Sequence, residues 1–162
     1  MNYREVLKSK LNQLKSLSCY RTFIELERQT GLHPHALWNS PDGPKDVVIW
    51  CSNDYLGMGQ NLDVVKASTS AIDFHGAGAG GTRNISGTSA AIVALENELA
   101  NLHGKERALV LTSGYVANEA SISAVAGLFD NVLILSDEMN HASIISGIRH
   151  ARCDKEIFRH ND

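Results

Sequence analysis

Cysteine, long apolar runs and clustered basic residues are all scarce in this 162-residue sequence. The three cysteines, Cys19, Cys51 and Cys153, are far apart and form no CxxC pair, which argues against a disulfide framework or a structural zinc site and favours a reduced compartment. No stretch approaches the ~20 apolar residues of a membrane span, and the N-terminus lacks the apolar core of a secretory signal. With 15 basic and 18 acidic residues and no long basic run, a nucleic-acid-binding surface is not expected.

What is present is the composition of a globular domain, 43% hydrophobic and 20% charged. Apolar residues recur at helical spacing in several segments, and capping residues or glycines bound most of them. We predict helices over residues 2–18, over 62–74, between Ser89 and Gly104, over 115–126 and over 142–151. Asn61 is expected to cap the second of these helices and Gly76 to end it.

Short apolar runs alternate with those helices. Residues 31–46, which hold all three prolines, are expected to form a loop or hairpin, followed by a strand over 47–50. Buried-type strands are predicted over 108–111 and 132–135, and a third strand over 156–159. Their alternation with helices indicates a parallel sheet covered on both faces, an α/β fold. Since so few strands would leave apolar edges uncovered, we expect the front part of a larger protein or a chain that works with a partner.

The segment Thr112-Ser113-Gly114-Tyr115 stands between a predicted strand and a predicted helix. Free N–H groups at a helix N-terminus favour an anion, and Gly114 would let the backbone approach it closely. Phosphate is the anion we expect, although a plain strand-to-helix turn would have the same pattern.

His141 lies in a second segment, SDEMNHAS (136–143), that also follows a predicted strand. Because ligands of open α/β sheets bind beyond the carboxyl ends of the strands, we expect the two segments to converge on one crevice. His141 could stack on a planar ligand, bind a metal or act as an acid or base, or it could merely begin a helix. Further metal ligands at short spacing are missing, which weighs against zinc.

Two other segments suggest ligand binding. The segment GAGAGGTRNISGT (76–88) has neither the residue order of a Walker A loop nor the strand–turn–helix context of a dinucleotide fingerprint. Its glycines, with Thr82, Arg83 and Asn84, instead suit a loop that wraps a polar ligand. Arg21 lies between aromatic residues, and its guanidinium could hold a carboxylate through two hydrogen bonds or could be a solvated surface group.

Seven segments, in order along nearly the whole chain, closely resemble the α-oxoamine synthases and, within them, the 5-aminolevulinate synthases. They are YRTFIELER (20–28), WCSNDYLGMGQ (50–60), GAGAGGTRNISGT (76–88), LENELANLHGKE (95–106), TSGYVANEA (112–120), SDEMNHASIISGIRHA (136–151) and IFRHND (157–162). The glycine-rich segment is similar to the aminolevulinate-forming branch rather than to the biotin-pathway or threonine-catabolic relatives.

The resemblance implies the aminotransferase-like fold type I, with the sheet of its large domain incomplete in this chain. Residues 1–60 would form an N-terminal segment of helix, loop and short strands, and residues 61–162 the first, truncated part of the pyridoxal-phosphate-binding large domain. The implied reaction condenses glycine with succinyl-CoA to 5-aminolevulinate, CoA and carbon dioxide, the first step of one route to haem. The implied cofactor is pyridoxal 5′-phosphate, and the implied assembly is a homodimer with shared active sites, without metal, nucleic acid or membrane.

The resemblance also implies roles for single residues. The cofactor would be held by Ser113, Gly114, Tyr115 and His141, with backbone N–H groups on its phosphate and the His141 ring stacked on its pyridine ring. Asn53 would lie near the glycine carboxylate. The other substrate contacts would come from Arg21, Thr82, Asn84 and Ile85 around the succinyl group, and from Ser136 and Lys155 on the acyl-CoA.

The catalytic lysine of the family, which forms a Schiff base with the cofactor, belongs to a later part of the fold. No catalytic residue is therefore assigned within these 162 residues, and the chain alone is expected to be inactive. Ser89–Val93 departs from the more polar or aromatic run of the relatives, although the helix there should still form. Two alternatives stay open: a paralogous α-oxoamine synthase with another acyl-CoA or amino acid, and a non-catalytic truncated remnant. A bacterial cytoplasm is the expected location, and a mitochondrial matrix is less favoured.

Overall fold

The computed structural model describes residues 2–162, which divide into two compact units at the boundary between Gly78 and Ala79. The domain boundary expected after residue 60 stays a prediction. Among residues 2–162, no helix is long and apolar enough to cross a membrane.

The first unit consists of two helices and a small antiparallel sheet. Its elements are α1 (Tyr3–Ser16), β1 (Leu26–Glu27), β2 (His35–Ser40), β3 (Gly43–Val48), a 3₁₀ turn (Met58–Gln60) and α2 (Leu62–His75). The strands follow each other in space in the order β1-β2-β3, which confirms a hairpin in the proline-containing region.

The strand predicted over 47–50 is wrong in its second half, since β3 ends at Val48. The last pair of the ladder joins Val48 to His35, and the residue before His35 is Pro34. Pro34 accepts a hydrogen bond from the Ile49 N–H at 2.9 Å but has no N–H of its own to return, so the ladder stops there.

The ends of α2 are those predicted from the sequence. The Asn61 side-chain oxygen accepts hydrogen bonds from the N–H groups of Asp63 at 2.9 Å and Val64 at 3.3 Å, and so satisfies two donors of the first turn. Gly76 ends the helix with a φ of 78°, a conformation that a residue with a Cβ rarely adopts.

The second unit alternates helices with parallel strands. Its elements are α3 (Arg83–Ser86), α4 (Ala90–Leu102), α5 (Gly114–Ala126), β4 (Leu133–Asp137), α6 (Ala142–Ala151) and β5 (Asp154–Phe158). β4 and β5 pair in parallel, from Leu133 opposite Asp154 to Asp137 opposite Phe158. This pairing confirms the α/β class with an incomplete sheet, and α4 forms despite the departure at Ser89–Val93.

Two strand predictions need correction. Ala108–Leu111 is not a strand in the structure, because no other strand of the described chain pairs with it, and the Val110 N–H bonds instead to the Glu96 carboxylate at 2.8 Å. In β4, Leu133 and Leu135 are 55% and 66% exposed, whereas Ser136 is buried. Successive side chains point to opposite faces of a strand, so α5 and α6 cover one face only, and the expected burial on both faces is wrong for this chain.

Helices α5 and α6 pack closely against each other, and this contact positions the two segments that the sequence singled out. Gly147 in α6 allows a close approach of the helices, since a Cβ there would lie only 3.1 Å from the Glu119 backbone in α5. The Glu119 carboxylate accepts a hydrogen bond from the Ser146 hydroxyl at 3.2 Å and pairs with the His150 ring at 2.8 Å. The relative placement of the two helix N-termini is thereby fixed.

Candidate functional site

The N-terminus of α5 presents two unpaired backbone donors. The extended residue Ser113 caps the helix: its hydroxyl oxygen accepts from the Val116 N–H at 3.2 Å and its carbonyl from the Ala117 N–H at 2.9 Å. Within residues 2–162, the N–H groups of Gly114 and Tyr115 then have no acceptor. A Cβ built at Gly114 would meet nothing within 4 Å, so the backbone is open to an approaching anion. We call these two donors the amide nest.

His141 stands beside the amide nest, as the cap of α6. Its Nδ1 accepts a hydrogen bond from the Ser143 N–H at 3.2 Å. Its ring centre lies 6.2 Å from that of Tyr115, with an angle of 70° between the ring planes. The structure thus brings together the four residues Ser113, Gly114, Tyr115 and His141, which the sequence placed on two separate segments.

Ser136 and Lys155 line one cavity of about 280 Å³ at the β4–β5 pair. Ser136 is 5% exposed, and its hydroxyl oxygen accepts a hydrogen bond from the Asn140 side chain at 3.0 Å. Arg149, from α6, contributes a second cation to this cavity. Sequence reasoning missed Arg149 because nothing in a helical pattern shows which turn will face a cavity.

The carboxyl ends of β4 and β5 are joined by hydrogen bonds to the Asp137 carboxylate, a contact that sequence reasoning also missed. The Asp137 carboxylate accepts hydrogen bonds from the Met139 N–H at 2.7 Å, the Asn161 N–H at 3.2 Å and the His160 ring at 3.0 Å. The Met139 N–H, and after it the His160 and Asn161 contacts, lower the pKa of Asp137 below its usual value against the opposing effect of burial. The available signal was that polar residues stand at the carboxyl ends of two parallel strands, with Asp137 ending β4 and His160 following β5.

The glycine-rich segment carries the short helix α3, with Thr82 preceding it. Thr82, Asn84 and Ile85 are exposed, and Ile85 keeps 88% of its surface accessible. The segment is held to the rest of the second unit by Arg83, whose guanidinium lies 2.6 Å from the Glu96 carboxylate of α4. Hydrogen bonds from Arg83 and from the Val110 N–H lower the pKa of Glu96, although burial opposes the shift.

Arg21 and Asn53 belong to the first unit. Arg21 is exposed in an irregular stretch and makes no ion pair with any residue the structure describes. Asn53 lines an open cavity of about 530 Å³ together with Arg28, a cation that sequence reasoning did not single out. The expected roles of Asn53 at the glycine carboxylate and of Arg21 at the succinyl group stay predictions.

Over residues 2–162, no group of three or more His, Cys, Asp or Glu side chains is placed to hold a metal ion. The amide nest and the His141 ring together form an anion-binding site next to an aromatic ring. Such a pair suits a flat molecule that carries a negatively charged group.

Comparisons with known proteins give one family and several relatives. The family model for class I and II aminotransferases matches residues 45–162. A 5-aminolevulinate synthase of Bradyrhizobium diazoefficiens is 56% identical over 162 residues, which are 100% of this chain and 40% of that protein. The 5-aminolevulinate synthase 1 of Cereibacter sphaeroides is 52% identical over 163 residues, again covering 100% of this chain and 40% of the relative.

A solved structure supports the same fold. A serine palmitoyltransferase from S. paucimobilis with a bound PLP–myriocin aldimine superposes with a TM-score of 0.80 at 26% identity, over 96% of this chain and 38% of that one. The chain therefore spans about two fifths of the length of the curated relatives it matches.

Proposed function

The chain belongs to the aminotransferase class I and II family, and we propose that the protein carrying it condenses glycine with succinyl-CoA to 5-aminolevulinate, CoA and carbon dioxide, using pyridoxal 5′-phosphate. The observation that carries the proposal is the placement of the His141 ring beside the amide nest of Gly114 and Tyr115. The high identity to two 5-aminolevulinate synthases over the whole chain favours this reaction within the family. The product would enter haem synthesis.

The residues at the amide nest fit pyridoxal phosphate. Two free N–H donors at the positive end of α5, with open space at Gly114, suit the phosphate. The His141 ring would stack on the pyridine ring, and Tyr115, whose ring meets that of His141 edge-on, would also contact the cofactor. When bound, the cofactor supplies an electron sink for the charge that develops at the glycine α-carbon. Ser113, Gly114, Tyr115 and His141 would hold and orient it.

The remaining residues would bind the two substrates. Lys155 and Ser136 share a cavity with the further cation Arg149 and with the carboxylates of Asp137 and Glu138. The two cations are the groups that would meet the negative charges of the acyl-CoA. Asn53 would meet the glycine carboxylate, and Arg28, in the same cavity, adds a positive charge near it. The residues proposed around the succinyl group are Arg21, Thr82, Asn84 and Ile85.

We propose a homodimer whose active sites are shared between subunits. The exposure of Thr82, Asn84 and Ile85 supports it, because these side chains are free to meet a neighbouring subunit. The Arg83–Glu96 pair would hold the segment in place while its other side chains reach outward. A bacterial cytoplasm is the proposed location, in keeping with the bacterial relatives.

The direct test uses the complete gene product that carries this sequence, purified with pyridoxal phosphate. We expect 5-aminolevulinate to form only when glycine and succinyl-CoA are both present. Clear preference for a long-chain acyl-CoA or for another amino acid would replace the proposal by a paralogous α-oxoamine synthase. Failure to bind the cofactor or to form any product would indicate a non-catalytic remnant.

A further inference from the structure

We propose that Ser143 and Asn118 are positioning residues that fix the tautomer of the His141 imidazole, with the proton on Nε2 and the lone pair on Nδ1. Only the use of His141 at a cofactor rests on the proposed function. The hydrogen-bond network that fixes the proton lies wholly in the second unit and stands without it.

A backbone N–H group donates a hydrogen bond to the His141 ring. The Ser143 N–H points at His141 Nδ1 over 3.2 Å. A backbone N–H can only donate, so Nδ1 must offer its lone pair, and a neutral imidazole then carries its proton on Nε2.

A buried hydroxyl group contacts the same nitrogen of the ring. The Ser143 hydroxyl oxygen lies 2.7 Å from the same Nδ1, and Ser143 is fully buried. The Asn118 side-chain NH₂ of α5 donates to this oxygen at 3.0 Å. Because Nδ1 already accepts from the Ser143 N–H, the hydroxyl meets it as a donor, while the hydroxyl oxygen accepts from Asn118. Two donors therefore meet one nitrogen.

A proton on Nδ1 would break one of these contacts and reverse the other. It would oppose the Ser143 N–H and leave the buried hydroxyl without an acceptor, and buried polar groups in folded proteins are rarely left unpaired. Ser143 is fully buried and bonds to Asn118 of the facing helix. The tautomer is thus coupled to the contact between the two helices.

The consequence concerns what His141 can do for a ligand. Nε2 is the nitrogen left to face outward, and in this form it donates a hydrogen bond. It has no in-plane lone pair with which to bind a metal ion or take up a proton. Of the roles that the sequence left open for His141, stacking on a planar ring and donation of a hydrogen bond fit the network, whereas a base or a metal ligand does not.

The tautomer is measured by long-range ¹H–¹⁵N correlation on the complete gene product with ¹⁵N-labelled histidine rings. Residues 1–162 contain 7 histidines, so the His141 signals are assigned by their disappearance in His141→Gln. At a pH where the ring is neutral, we expect Nδ1 in the unprotonated range and Nε2 in the protonated range. The opposite assignment in the unmodified protein overturns the proposal, whatever the variants do.

Variants identify the residues responsible. Ser143→Ala should move both His141 nitrogen signals toward the average of the two tautomers, because Nδ1 loses the hydroxyl and keeps only the backbone donor. Asn118→Ala should cause a smaller move in the same direction. Ser146→Ala is the matched control, since it removes a hydroxyl from the same helix face that bonds to Glu119 instead of His141. Equal shifts in all three variants would reduce Ser143 to a packing residue and overturn its positioning role.

The same measurement separates this inference from the proposed function. If the protein forms no 5-aminolevulinate but His141 shows the Nε2–H pattern, the proposed reaction fails and the tautomer assignment stands. If the reaction is found but Nδ1 carries the proton, the tautomer assignment fails alone.

Discussion

Gly147 lies where α6 packs on α5, and its replacement by alanine should loosen the contact that positions His141 beside the amide nest. A Cβ at this position would lie 3.0 Å from the Ile122 Cβ and 3.1 Å from both the Glu119 Cα and the Glu119 carbonyl oxygen. Two of these three atoms are backbone, so no side-chain rotation can relieve the overlap. The two helices must separate by a few tenths of an ångström instead.

Two opposing effects determine how much Gly147→Ala changes the free energy of unfolding. Inserting a methyl group into a packed interface costs about 1–3 kcal/mol. An alanine in a helix interior is favoured over glycine by about 1 kcal/mol. Because the overlap involves backbone on the facing helix, we place the cost in the upper part of its range and expect Gly147→Ala to lose about 1–2 kcal/mol in the free energy of unfolding.

Urea-induced unfolding of the complete gene product measures this difference, and hydrogen exchange of peptides from α5 and α6 locates it. Gly78→Ala is the control, since a Cβ there would meet nothing within 4 Å and Gly78 has no positive φ. It should change stability by no more than about 0.5 kcal/mol. If Gly147→Ala were instead more stable than the unmodified protein, the helix preference would be acting without a clash, and the close approach of α5 and α6 would be refuted.

Three further predictions concern hydrogen bonds that hold single elements. Glu96→Gln should destabilise the protein most above pH about 4.5 and progressively less as the pH falls, because the lowered pKa of Glu96 contributes stability only where the carboxylate is charged. The urea midpoint of unfolding, measured against pH, tests this. Glu98→Gln, at an exposed position of α4, is the control and should not show this dependence on pH. Asn61→Ala should cost about 0.5–2 kcal/mol in unfolding free energy, whereas Asn61→Asp, which keeps the acceptor, should cost less. Asp137→Ala should speed hydrogen exchange at the Met139 and Asn161 amides, which lose their acceptor; unchanged exchange there would contradict the proposed link between the ends of β4 and β5.

The local signals in the sequence predicted the helices well. Asn61 and Gly76 bound α2 as expected, and the Ser113 cap lies where the strand-to-helix pattern placed it. These features depend on residues within one turn of each other, so a sequence pattern contains them. The pairing of β4 with β5 in parallel also followed from the alternation of strands and helices.

Three features that depend on particular distant partners could not be predicted. Ala108–Leu111 has the composition of a buried strand, but the structure gives it no strand to pair with and bonds Val110 to Glu96. The contact of Ser143 with Asn118 and the place of Arg149 in the cavity with Lys155 depend on how α6 rotates against its neighbours. The family resemblance suggested the cofactor, while the geometry around Gly114 came only from the structure.

The central claim is that the amide nest holds the phosphate of pyridoxal phosphate next to the His141 ring. Gly114 is the first residue of α5, and Ser113 before it is extended, so Gly114→Pro should keep the helix while it removes one N–H donor. Gly114→Ala, which keeps that N–H and places its methyl group in open space, is the matched control.

The decisive measurement is the dissociation constant of pyridoxal 5′-phosphate and of pyridoxal, which lacks the phosphate, for the complete gene product and these two variants. Loss of a hydrogen bond to a charged group costs about 1.5–3 kcal/mol, or roughly 10- to 100-fold in affinity. We expect Gly114→Pro to weaken pyridoxal phosphate by that factor beyond Gly114→Ala and to leave pyridoxal unchanged. Equal changes in the dissociation constants of both ligands, or no change in either, would contradict the binding of the phosphate at Gly114.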